Sequence, residues 1–569
     1  MMHGNIATLY SSGSSFLAKC EAARSDLLLA LERPHGAEQR ILTDIVASNA
    51  ETAFGHAHSF GRIRDVADYR SRVPIRSYDD HLPWINRSIG GEAHVLTADP
   101  PYMFLKTSGT TGRSKAIPQT KHWRQKYRGP AIYAQWATYV RYHPSLASSR
   151  FATLDLSWER NSASEFVGNR PYQSITHRPA AFTDSDWQPP WYNEPWFDFI
   201  GREEVTYADR MYLKIRHFVG KDLRCIVSVN PSTIVALVNH LAANTGRLIQ
   251  DIHDGTCFGH PGDFEPEPKL AAALEARARA HGGVLNAECV WPNLNLIVCW
   301  RSASAALYTK QLTAAFPDAE FLPFSTTGTE GVVTIPIDRH PTAGILAMNQ
   351  GLYEFVPCAD PSEDSIAPDA ETVSFDELDI GQTYHLVMTQ ANGLYRYNVG
   401  DLYKLAGRLG SVPRLEFVGR AGRVSSFTGE KLTEAQVVQA TQASLDRLAV
   451  EARIFTCCPI WDTPPSYMFI VEPEESASVL DARALAAELD VQLGRSNDEY
   501  IGKRATNRLG PPSVLLVQPG TFQRYWDNRV SQGSSSSQLK HRWLQDNRQI
   551  LDDLQKLIIS AQPCELVPA

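Results

Sequence analysis

Apolar positions recur at helical spacing near the start of this chain of 569 residues and gather into strand-like runs further on. Leucine and isoleucine are spaced as in helices from Ser15 to Ile45, and Pro34-His35-Gly36 interrupts them, so the pattern predicts two helices. The stretch from Arg76 to Pro101 is rich in loop-forming residues. Two apolar runs after it, Tyr102 to Leu105 and Ala116 to Pro118, predict short strands on either side of a polar loop.

Strands and helices alternate between residues 223 and 324. The pattern predicts strands at Leu223–Val229, Leu294–Trp300 and Glu320–Phe324, and helices at Ile234–Ile252 and Ser302–Leu312. Continuous apolar strands that alternate with helices are typical of a parallel sheet covered on both faces. Ligands of such sheets bind beside the carboxyl ends of the strands, so we expect a binding edge at the loops that begin at Asn230, Arg301 and Ser325.

Segment 416–433 is basic and interrupted by glycine, which indicates a domain boundary. Beyond it the pattern predicts helices at Thr433–Leu448, Ala482–Leu493 and Trp543–Ile559, strands at Arg453–Cys458, Tyr467–Val471 and Ser513–Val517, and a mobile loop at Ser534–Ser537. The whole pattern predicts an α/β fold. A large N-terminal domain, residues 1–419, has mostly parallel sheets covered by helices, and a smaller, mobile α+β C-terminal domain covers residues 420–569.

Composition is that of an ordinary soluble protein, since 43% of the residues are hydrophobic and 21% are charged. The length suggests roughly three or four domain-sized units. A net charge of −8 argues against a nucleic-acid binder, which usually has a basic face. The nine cysteines are scattered, so we expect reduced thiols. We see no secretory signal and no run of ~20 apolar residues, and therefore expect a cytoplasmic protein with no membrane partner.

The loop between the two short strands, Lys106 to Lys115, combines glycines, hydroxyl residues and lysine. Glycines let backbone N–H groups approach an anion, and hydroxyls donate hydrogen bonds. Lys115 adds a mobile positive charge suited to a polyphosphate. The alternative is a polar hairpin. The segment lacks Gly-x-x-x-x-Gly-Lys-Ser/Thr, so it is not the phosphate-binding loop of nucleoside triphosphatases.

Two further polar segments follow predicted strands. Phe324 to Gly331 offers hydroxyls and one carboxylate, Glu330, which suits Mg²⁺ because this ion is often held by one or two carboxylates together with phosphates. A helix-capping turn is the alternative. Tyr395 to Leu402 places Asp401 at an expected strand end, where a carboxylate can accept hydrogen bonds from ribose hydroxyls. An ordinary turn aspartate is the alternative there.

Lys431 lies at the start of a predicted helix, where a cation opposes the helix dipole. It is either a surface charge or a group needed for function. The aromatic and proline cluster at 187–197 fits either a pocket for an apolar or aromatic acid or the packing of domains. The seventeen histidines show no metal-ligand spacing and Gly-x-Ser-x-Gly is absent, so neither a zinc site nor a hydrolase elbow is predicted.

Taken in order, these segments resemble the motifs of the adenylate-forming superfamily of acyl-CoA synthetases, luciferases and peptide-synthetase adenylation domains. Thr107 to Lys115 resembles its phosphate loop, Gly328-Thr329-Glu330 its aromatic-Gly-x-Thr-Glu motif, Gly400-Asp401 its ribose motif and Gly419-Arg420 its hinge entry. Between residues 50 and 545 the chain more closely resembles the auxin-responsive Gretchen Hagen family of acyl-acid amido synthetases. The stretches that carry this resemblance are Phe54-Gly55, Tyr69 to Ile75, Val95-Leu96-Thr97, Ser228 to Thr233, Trp291 to Leu294, Tyr353 to Pro357, Gly429 to Glu434, Asn497-x-x-Tyr500-x-x-x-Arg504 and Pro519 to Phe522.

The resemblance implies a two-step reaction that uses ATP and Mg²⁺. A carboxylic acid attacks the α-phosphate of ATP to give an acyl adenylate and pyrophosphate, and an amine, usually that of an amino acid, displaces AMP to form an amide. The implied phosphate cradle consists of Thr107, Ser108, Gly109, Thr110, Thr111 and Gly112, assisted by Lys115. The other implied site residues are Thr329 and Tyr353 at the nucleotide, Glu330 at Mg²⁺, Asp401 at the ribose, Arg420 at the hinge and ribose, and Lys431 at the charge that develops during adenylation.

Two positions depart from the pattern. Leu352 stands where related plant sequences often have an aromatic residue beside adenine, and Gly422 stands where the superfamily tends to have an acidic hinge residue. Two alternatives stay open: a ligase that uses coenzyme A or a carrier thiol as acceptor, and a non-catalytic nucleotide-binding regulator. The expected partners are a small carboxylic acid and an amine, and the expected assembly is a monomer or a weak homodimer.

Overall fold

The computed structural model describes residues 6–106, 115–147, 151–156, 165–174, 207–261, 264–359, 361, 365–422, 424–425, 427, 430, 432–462, 464–474, 480–505, 509–531 and 541–559. The helices in these ranges are α1 (Ile6–Glu32), α2 (Pro34–Ser48), α3 (Ala53–Ala57), α4 (Val66–Arg72), α5 (Tyr78–Ile89), α6 (Lys121–Trp123), α7 (Gly129–Tyr142), α8 (Tyr207–Phe218), α9 (Pro231–Ala243), α10 (Thr245–Asp254), α11 (Pro268–Ala280), α12 (Ala287–Val290), α13 (Thr309–Ala315), α14 (Glu434–Leu448), α15 (Ala482–Ser496), α16 (Asp498–Ala505), α17 (Thr521–Ser531) and α18 (Gln549–Ile559).

The strands in the same ranges are β1 (Met103–Lys106), β2 (Ala116–Gln119), β3 (Thr153–Asp155), β4 (Phe166–Val167), β5 (Arg170–Ser174), β6 (Cys225–Val227), β7 (Thr256–Cys257), β8 (His260–Pro261), β9 (Leu296–Cys299), β10 (Glu320–Pro323), β11 (Thr334–Ile335), β12 (Gly344–Leu346), β13 (Leu352–Pro357), β14 (Thr383–Gln390), β15 (Leu394–Leu409), β16 (Val412–Arg420), β17 (Val424–Ser425), β18 (Leu432–Thr433), β19 (Ala452–Ile460), β20 (Ser466–Pro473) and β21 (Ser513–Leu516).

The chain divides into two compact units. The first contains Met1–Pro357, Ile366–Val399 and Tyr403–Phe417, and the second contains Cys358–Ser365, Gly400–Leu402 and Val418–Ala569. The functional division at residues 419 and 420 stays a prediction.

The first two helices agree with the sequence pattern. A break at Arg33 separates α1 from α2, and α2 begins at Pro34. Proline suits the first position of a helix because that residue has no intrahelical partner for an N–H group. Leu27 of α1 belongs to the same buried cluster as Tyr133 and Trp136 of α7, so these two helices share the first core of the unit.

The expectation of a loop-rich stretch from Arg76 to Pro101 is wrong for its first part, where α5 forms. A capping box starts this helix: the side chain of Ser77 accepts the backbone N–H of Asp80, and the Asp80 side chain accepts the backbone N–H of Ser77. These two bonds satisfy amide groups that a helix start leaves without partners. Pro83 lies inside α5, and together with the polar residues around it this proline hid the helix in the sequence.

The parallel sheet predicted between residues 223 and 324 is present. Its strand order is β10-β9-β6-β3, and every neighbouring pair is parallel. Ile226 and Ile297 lie in one buried cluster, whereas Cys225 and Leu296 lie in another. Alternate side chains of a strand point to opposite faces, so both faces of this sheet are covered, as the continuous apolar strands predicted.

The single helix expected from Ile234 to Ile252 is instead two helices, α9 and α10, separated at Asn244. The Asn244 side chain donates to the carbonyl of His240 at 2.8 Å. Such a local side-chain bond competes with the helical pattern, which explains why apolar spacing alone did not reveal the break.

A six-stranded sheet with the order β11-β12-β16-β15-β14-β13 is the second large sheet of the described chain. The pairs β11–β12, β12–β16 and β13–β14 are antiparallel. The sheet β10-β9-β6-β3 is therefore parallel throughout, whereas this six-stranded sheet contains antiparallel pairs. The α/β class agrees with the prediction. β15 continues to Leu409, so Asp401 lies inside a strand rather than at its end, and the glycine before it, Gly400, has φ +77°.

The second unit has the α+β pattern predicted from the sequence. β19, β20 and β21 form a sheet, with β19–β20 antiparallel and β20–β21 parallel. A capping box at Thr433 starts α14. The last helix begins at Gln549 rather than at Trp543, because the carbonyl of Trp543 accepts the backbone N–H of Cys457 at 2.7 Å and Leu544 forms a parallel bridge with Cys457.

Candidate active site

Both ends of the predicted phosphate loop are fixed by a hairpin. β1 and β2 pair antiparallel, with Lys106 opposite Ala116. The Lys106 ammonium donates to Glu165 at 2.7 Å. The cradle residues Thr107 to Gly112 themselves lie outside the described residues, so the structure gives the frame of the loop and its last residue, Lys115.

Two tyrosines hold the chain where the loop ends. The hydroxyl oxygen of Tyr78 accepts the backbone N–H of Ala116 at 2.7 Å. The hydroxyl of Tyr172 donates to the carbonyl of Lys115 at 3.3 Å. Tyr78 is the first residue of α5, whose capping box fixes its position. The backbone of Lys115 is therefore set from two separate elements.

The Lys115 side chain lies between two aromatic rings. Its Nζ donates to the Tyr397 hydroxyl at 3.1 Å and lies 5.8 Å from the centroid of that ring. It lies 5.2 Å from the ring centroid of Tyr78. A cation near an aromatic face is attracted by the negative charge of the ring face, so the Tyr78 ring attracts the ammonium, while Tyr397 holds it through its hydroxyl oxygen.

The segment that contains Glu330 forms a tight turn. Thr327 and Val332 form an antiparallel bridge, and the N–H of Gly328 donates to the carbonyl of Gly331 at 2.9 Å. The turn thus reverses the chain between two extended segments. A helix-capping turn, the alternative left open by the sequence, is wrong for this segment.

Glu330 is buried at this turn, with a relative exposure of 6%. The hydroxyl of Thr329 donates to Glu330 Oε2 at 2.8 Å. A Cβ atom on Gly328 would lie 2.6 Å from the same oxygen. The carboxylate therefore folds back over a glycine that leaves room for it, and a neighbouring hydroxyl orients it.

The buried side chain of Arg128 contacts this turn. Its Nη1 donates to the carbonyl of Gly328 at 2.9 Å, and its guanidinium lies 5.3 Å from the ring centroid of Trp123. Burial and the neighbouring Arg124 lower the pKa of Arg128 to about 10, while the charge of Glu330 acts in the opposite direction. Arg128 still carries its charge at neutral pH and offsets part of the cost of burying the Glu330 carboxylate.

Lys115 and Glu330 both influence Tyr78, to different degrees. Burial is the main cause that raises the pKa of the Tyr78 hydroxyl; the bond to the carbonyl of Ala116 opposes the rise, and the charges of Asp79 and then Glu330 add to it. The Lys115 ammonium lies 5.2 Å from the centroid of the same ring. That Lys115 and Glu330 act together at one site stays a prediction.

Asp401 and Arg420, both in the second unit, form an ion pair in which Arg420 Nε lies 3.0 Å from Asp401 Oδ1. The backbone N–H of Ala421 donates to the carbonyl of Gly400 at 2.9 Å. The structure thus pairs the residue of the ribose motif with the residue of the hinge motif, and their roles at a ribose stay predictions.

Tyr353 is buried in the first core, with a relative exposure of 2%, and its hydroxyl donates to the carbonyl of Val332 at 2.5 Å. Its neighbour Leu352 is also buried and pairs with Thr389 of β14. The geometry gives the Tyr353 side chain a packing role. A contact of Tyr353 with the nucleotide stays a prediction.

Lys431, the aromatic cluster at 187–197 and the loop Ser534–Ser537 lie outside the described residues. The residue before Lys431 is described. Glu430 is buried, and its Oε1 accepts the Tyr467 hydroxyl at 2.7 Å and the N–H of Phe427 at 2.8 Å. The Asn497 amide donates to the carbonyl of Glu430 at 2.8 Å.

The oxygen atoms around Glu330 suit a metal ion that binds together with the phosphates of a nucleotide. Within the described chain no three histidine, cysteine, aspartate or glutamate side chains form a cluster that could hold a metal. Mg²⁺ is commonly bound through one or two carboxylates plus substrate phosphates. A single buried carboxylate beside the Thr329 hydroxyl, in a turn that needs glycine, fits that mode rather than an all-protein cage.

Sequence reasoning missed Tyr78, Tyr397, Tyr172 and Arg128. Tyr397 lies four residues before Asp401, inside the ribose motif, so the sequence offered a signal by which it could have been identified. Arg128 and Tyr78 have no local motif, because only tertiary packing brings them beside the Gly328 turn and Lys115. Within the described ranges, all eight cysteines are free and no helix has the length and apolarity to span a membrane.

Family models match consecutive parts of the chain. They are the GH3 family N-terminal domain at residues 23–321, the GH3 family central domain at 344–420 and the GH3 family C-terminal domain at 434–549. The first of these alone covers more than half of the chain.

Relatives match along almost the whole chain. Indole-3-acetic acid-amido synthetase GH3.4 of Arabidopsis thaliana is 24% identical over 543 residues, which cover 89% of this chain and 88% of that protein. Indole-3-acetic acid-amido synthetase GH3.8 of Oryza sativa subsp. indica is 24% identical over 539 residues, covering 88% and 87%.

A solved structure shows the same fold. The acyl acid amido synthetase AtGH3.15 in complex with 2,4-DB superimposes with a TM-score of 0.80 and 20% identity, covering 94% of this chain and 95% of that one. The adenylate-forming fold, the resemblance read from the motifs and the expected class of amide-forming ligase are confirmed. This chain belongs to the GH3 family.

Proposed function

We propose that this protein is an ATP-dependent ligase that activates a small carboxylic acid as an acyl adenylate and transfers the acyl group to the amine of an amino acid. Membership of the GH3 family and the names of the relatives, which are amido synthetases, support this activity. The structural observation that best supports the site is the buried Glu330 carboxylate, which the Thr329 hydroxyl orients over the space left by Gly328.

In the first half-reaction, a carboxylate oxygen of the acid attacks the α-phosphorus of ATP. The bond from that phosphorus to the oxygen bridging to the β-phosphorus breaks, and pyrophosphate leaves. This step brings two anions together, so fixed donors and cations must offset their repulsion. Lys115 supplies one cation, and the N–H and hydroxyl groups of residues 107–112 cradle the phosphates. Lys431 stabilises the charge that develops on the reacting phosphate.

Glu330 would hold Mg²⁺ at the nucleotide, and the ion would neutralise charge on the triphosphate oxygens, while Thr329 would contact the nucleotide phosphate. Asp401 accepts hydrogen bonds from the ribose hydroxyls, and Arg420, paired with it, orients the carboxylate. In the second half-reaction the uncharged amine attacks the acyl carbon. The bond to the AMP oxygen breaks, AMP leaves, and the amine loses a proton as the amide forms.

The test is ATP–pyrophosphate exchange with a library of carboxylic acids that includes indole-3-acetic acid, on which the named relatives act, followed by trapping with hydroxylamine. One acid class should support exchange and yield a hydroxamate. Addition of amino acids should then give an amide and AMP, whereas coenzyme A should give no thioester. A thioester product would favour the thiol acceptor. No exchange with any acid would favour a nucleotide-binding regulator.

A further inference from the structure

The position of the Lys115 ammonium is defined by a tyrosine pair, Tyr78 and Tyr397, that the reaction scheme does not use. Tyr397 is fully buried, and its hydroxyl oxygen accepts from Lys115 Nζ at 3.1 Å. The Tyr78 ring lies 5.2 Å below the same nitrogen. The two tyrosines are 319 residues apart in the chain, so a folded arrangement, not a local motif, places them around one cation.

The two segments that carry these tyrosines are bonded to each other. Arg76 and Tyr397 form a parallel bridge. The N–H of Arg76 donates to the carbonyl of Arg396 at 2.9 Å, and the N–H of Asn398 donates to the carbonyl of Arg76 at 2.8 Å. The start of α5 is therefore tied to the strand on both sides of Tyr397, and the spacing between the two tyrosines is fixed.

The backbone before Tyr397 is held in an unusual conformation. Arg396 has φ +44°, which a residue with a side chain rarely adopts without surrounding support. The support is a buried pair: Arg396 Nε and Nη2 donate to the two carboxylate oxygens of Glu354 at 2.9 and 2.8 Å. Its Nη1 donates to the carbonyl of Val73 at 2.8 Å. Strain that is held this firmly fixes the direction in which the next residue points.

The Tyr397 ring is also fixed from its other side. The buried His81 ring packs against it edge to face, with centroids 5.6 Å apart. His81 Nδ1 bonds to the carbonyl of Ser77, and its Nε2 accepts the N–H of Tyr395. The backbone bridge to Arg76 and the packing of His81 thus hold Tyr397 in place through elements other than the strands of the β1–β2 hairpin.

We propose that Tyr397 is a positioning residue that holds the Lys115 ammonium in place for the triphosphate before the nucleotide binds. This inference rests on the proposed role of Lys115 at the phosphates. A lysine side chain that is already ordered loses less conformational freedom when its ligand binds, and such preorganisation strengthens binding without a new contact to the ligand.

The test is a double-mutant cycle on ATP binding, measured by calorimetry in the presence of Mg²⁺. In the parent background, Tyr397→Phe should weaken ATP binding about 5–10-fold, the size expected when one long side chain has to be ordered as the ligand binds. Lys115→Ala should weaken it more. In the Lys115→Ala background, Tyr397→Phe should have less than about a 2-fold further effect, because its action passes through the lysine.

Tyr395→Phe is the matched control. It removes a buried hydroxyl from the same strand, one that donates to the carbonyl of Leu96 at 2.6 Å and does not touch Lys115. It should lower thermal stability while its effect on ATP binding, if any, is the same in both lysine backgrounds. An equal loss from Tyr397→Phe in both backgrounds, or no loss at all, would overturn the proposal.

This experiment separates the inference from the proposed function. A protein that binds ATP but shows no pyrophosphate exchange with any acid would refute the ligase activity, and the cycle would still decide on Tyr397. A parent that binds no ATP would refute both. If the parent enzyme is active and the effects of Tyr397→Phe and Lys115→Ala on ATP binding are additive, only the positioning role of Tyr397 is refuted.

Discussion

A Cβ atom placed on Gly328 would lie 2.6 Å from Glu330 Oε2, so the carboxylate occupies the space that any other residue would fill. Gly328→Ala should displace this carboxylate and slow pyrophosphate exchange roughly 10–100-fold, the cost of misplacing a group by about an ångström. The atom that must move is the end of a flexible side chain, so the melting temperature should change little. Calorimetric melting and exchange kinetics measure the two effects.

Gly407→Ala is the control for that variant, since a Cβ at Gly407 meets nothing within 4 Å. It should leave exchange at the parent rate. A Gly328→Ala protein that exchanges as fast as the parent would show that the position of Glu330 does not matter for adenylation.

Asp401 should discriminate nucleotides by their ribose hydroxyls. Asp401→Asn should raise KM for ATP by about 10–100-fold, as expected for lost hydrogen bonds to a charged group. Its KM for 2′-deoxy-ATP and 3′-deoxy-ATP should change much less, since one of the two bonds is already missing there. The measurement is the KM of the parent and of Asp401→Asn for each of the three nucleotides. If all three KM values rise by the same factor, Asp401 acts only through its ion pair with Arg420.

Glu354 should be essential for stability, because both it and Arg396 are almost fully buried. Glu354→Ala leaves the Arg396 guanidinium without its carboxylate, and loss of one partner of a buried pair typically costs about 3–5 kcal/mol. Denaturant unfolding of the first unit reports this loss. Glu51→Ala, at a side chain with 92% relative exposure, is the control and should unfold like the parent. Equal stability of the two variants would contradict the structural role of the pair.

Acid should destabilise the second unit partly through His541. Burial lowers the pKa of His541 to about 4, below its ordinary value of 6.5. The unfolded chain therefore takes up this proton first as the pH falls. The stabilisation is complete above pH 6.5 and is lost as the pH falls to about 4, amounting to roughly 3 kcal/mol for such a shift.

His541→Gln tests this sign, because glutamine can still donate to the carbonyl of Phe455 but does not titrate. Between pH 6.5 and 4.5 the unfolding free energy of the second unit should fall less steeply in the variant than in the parent. Parallel pH profiles of the two proteins would show that His541 does not contribute.

Hydrophobic spacing predicted the parallel sheet and most helices because those elements bury their apolar residues in regular order. It missed α5, where the start depends on the capping box of Ser77 and Asp80, and it joined α9 to α10 across Asn244. Lys115, Glu330 and Asp401 could be predicted because each lies in a short motif. Tyr78 and Arg128 could not, because only tertiary packing brings Tyr78 beside Lys115, 37 positions away, and Arg128 beside Gly328, 200 positions away.

Activation of the acid as an acyl adenylate must carry one carboxylate oxygen into AMP, and isotope transfer measures this. The acid that supports exchange is labelled with ¹⁸O in its carboxylate and converted to amide in a single turnover, and the AMP is analysed by mass spectrometry. One ¹⁸O atom per AMP is predicted, since a carboxylate oxygen becomes the bridge to the α-phosphorus and leaves with it. Unlabelled AMP, or release of ADP with labelled inorganic phosphate, would exclude an acyl adenylate.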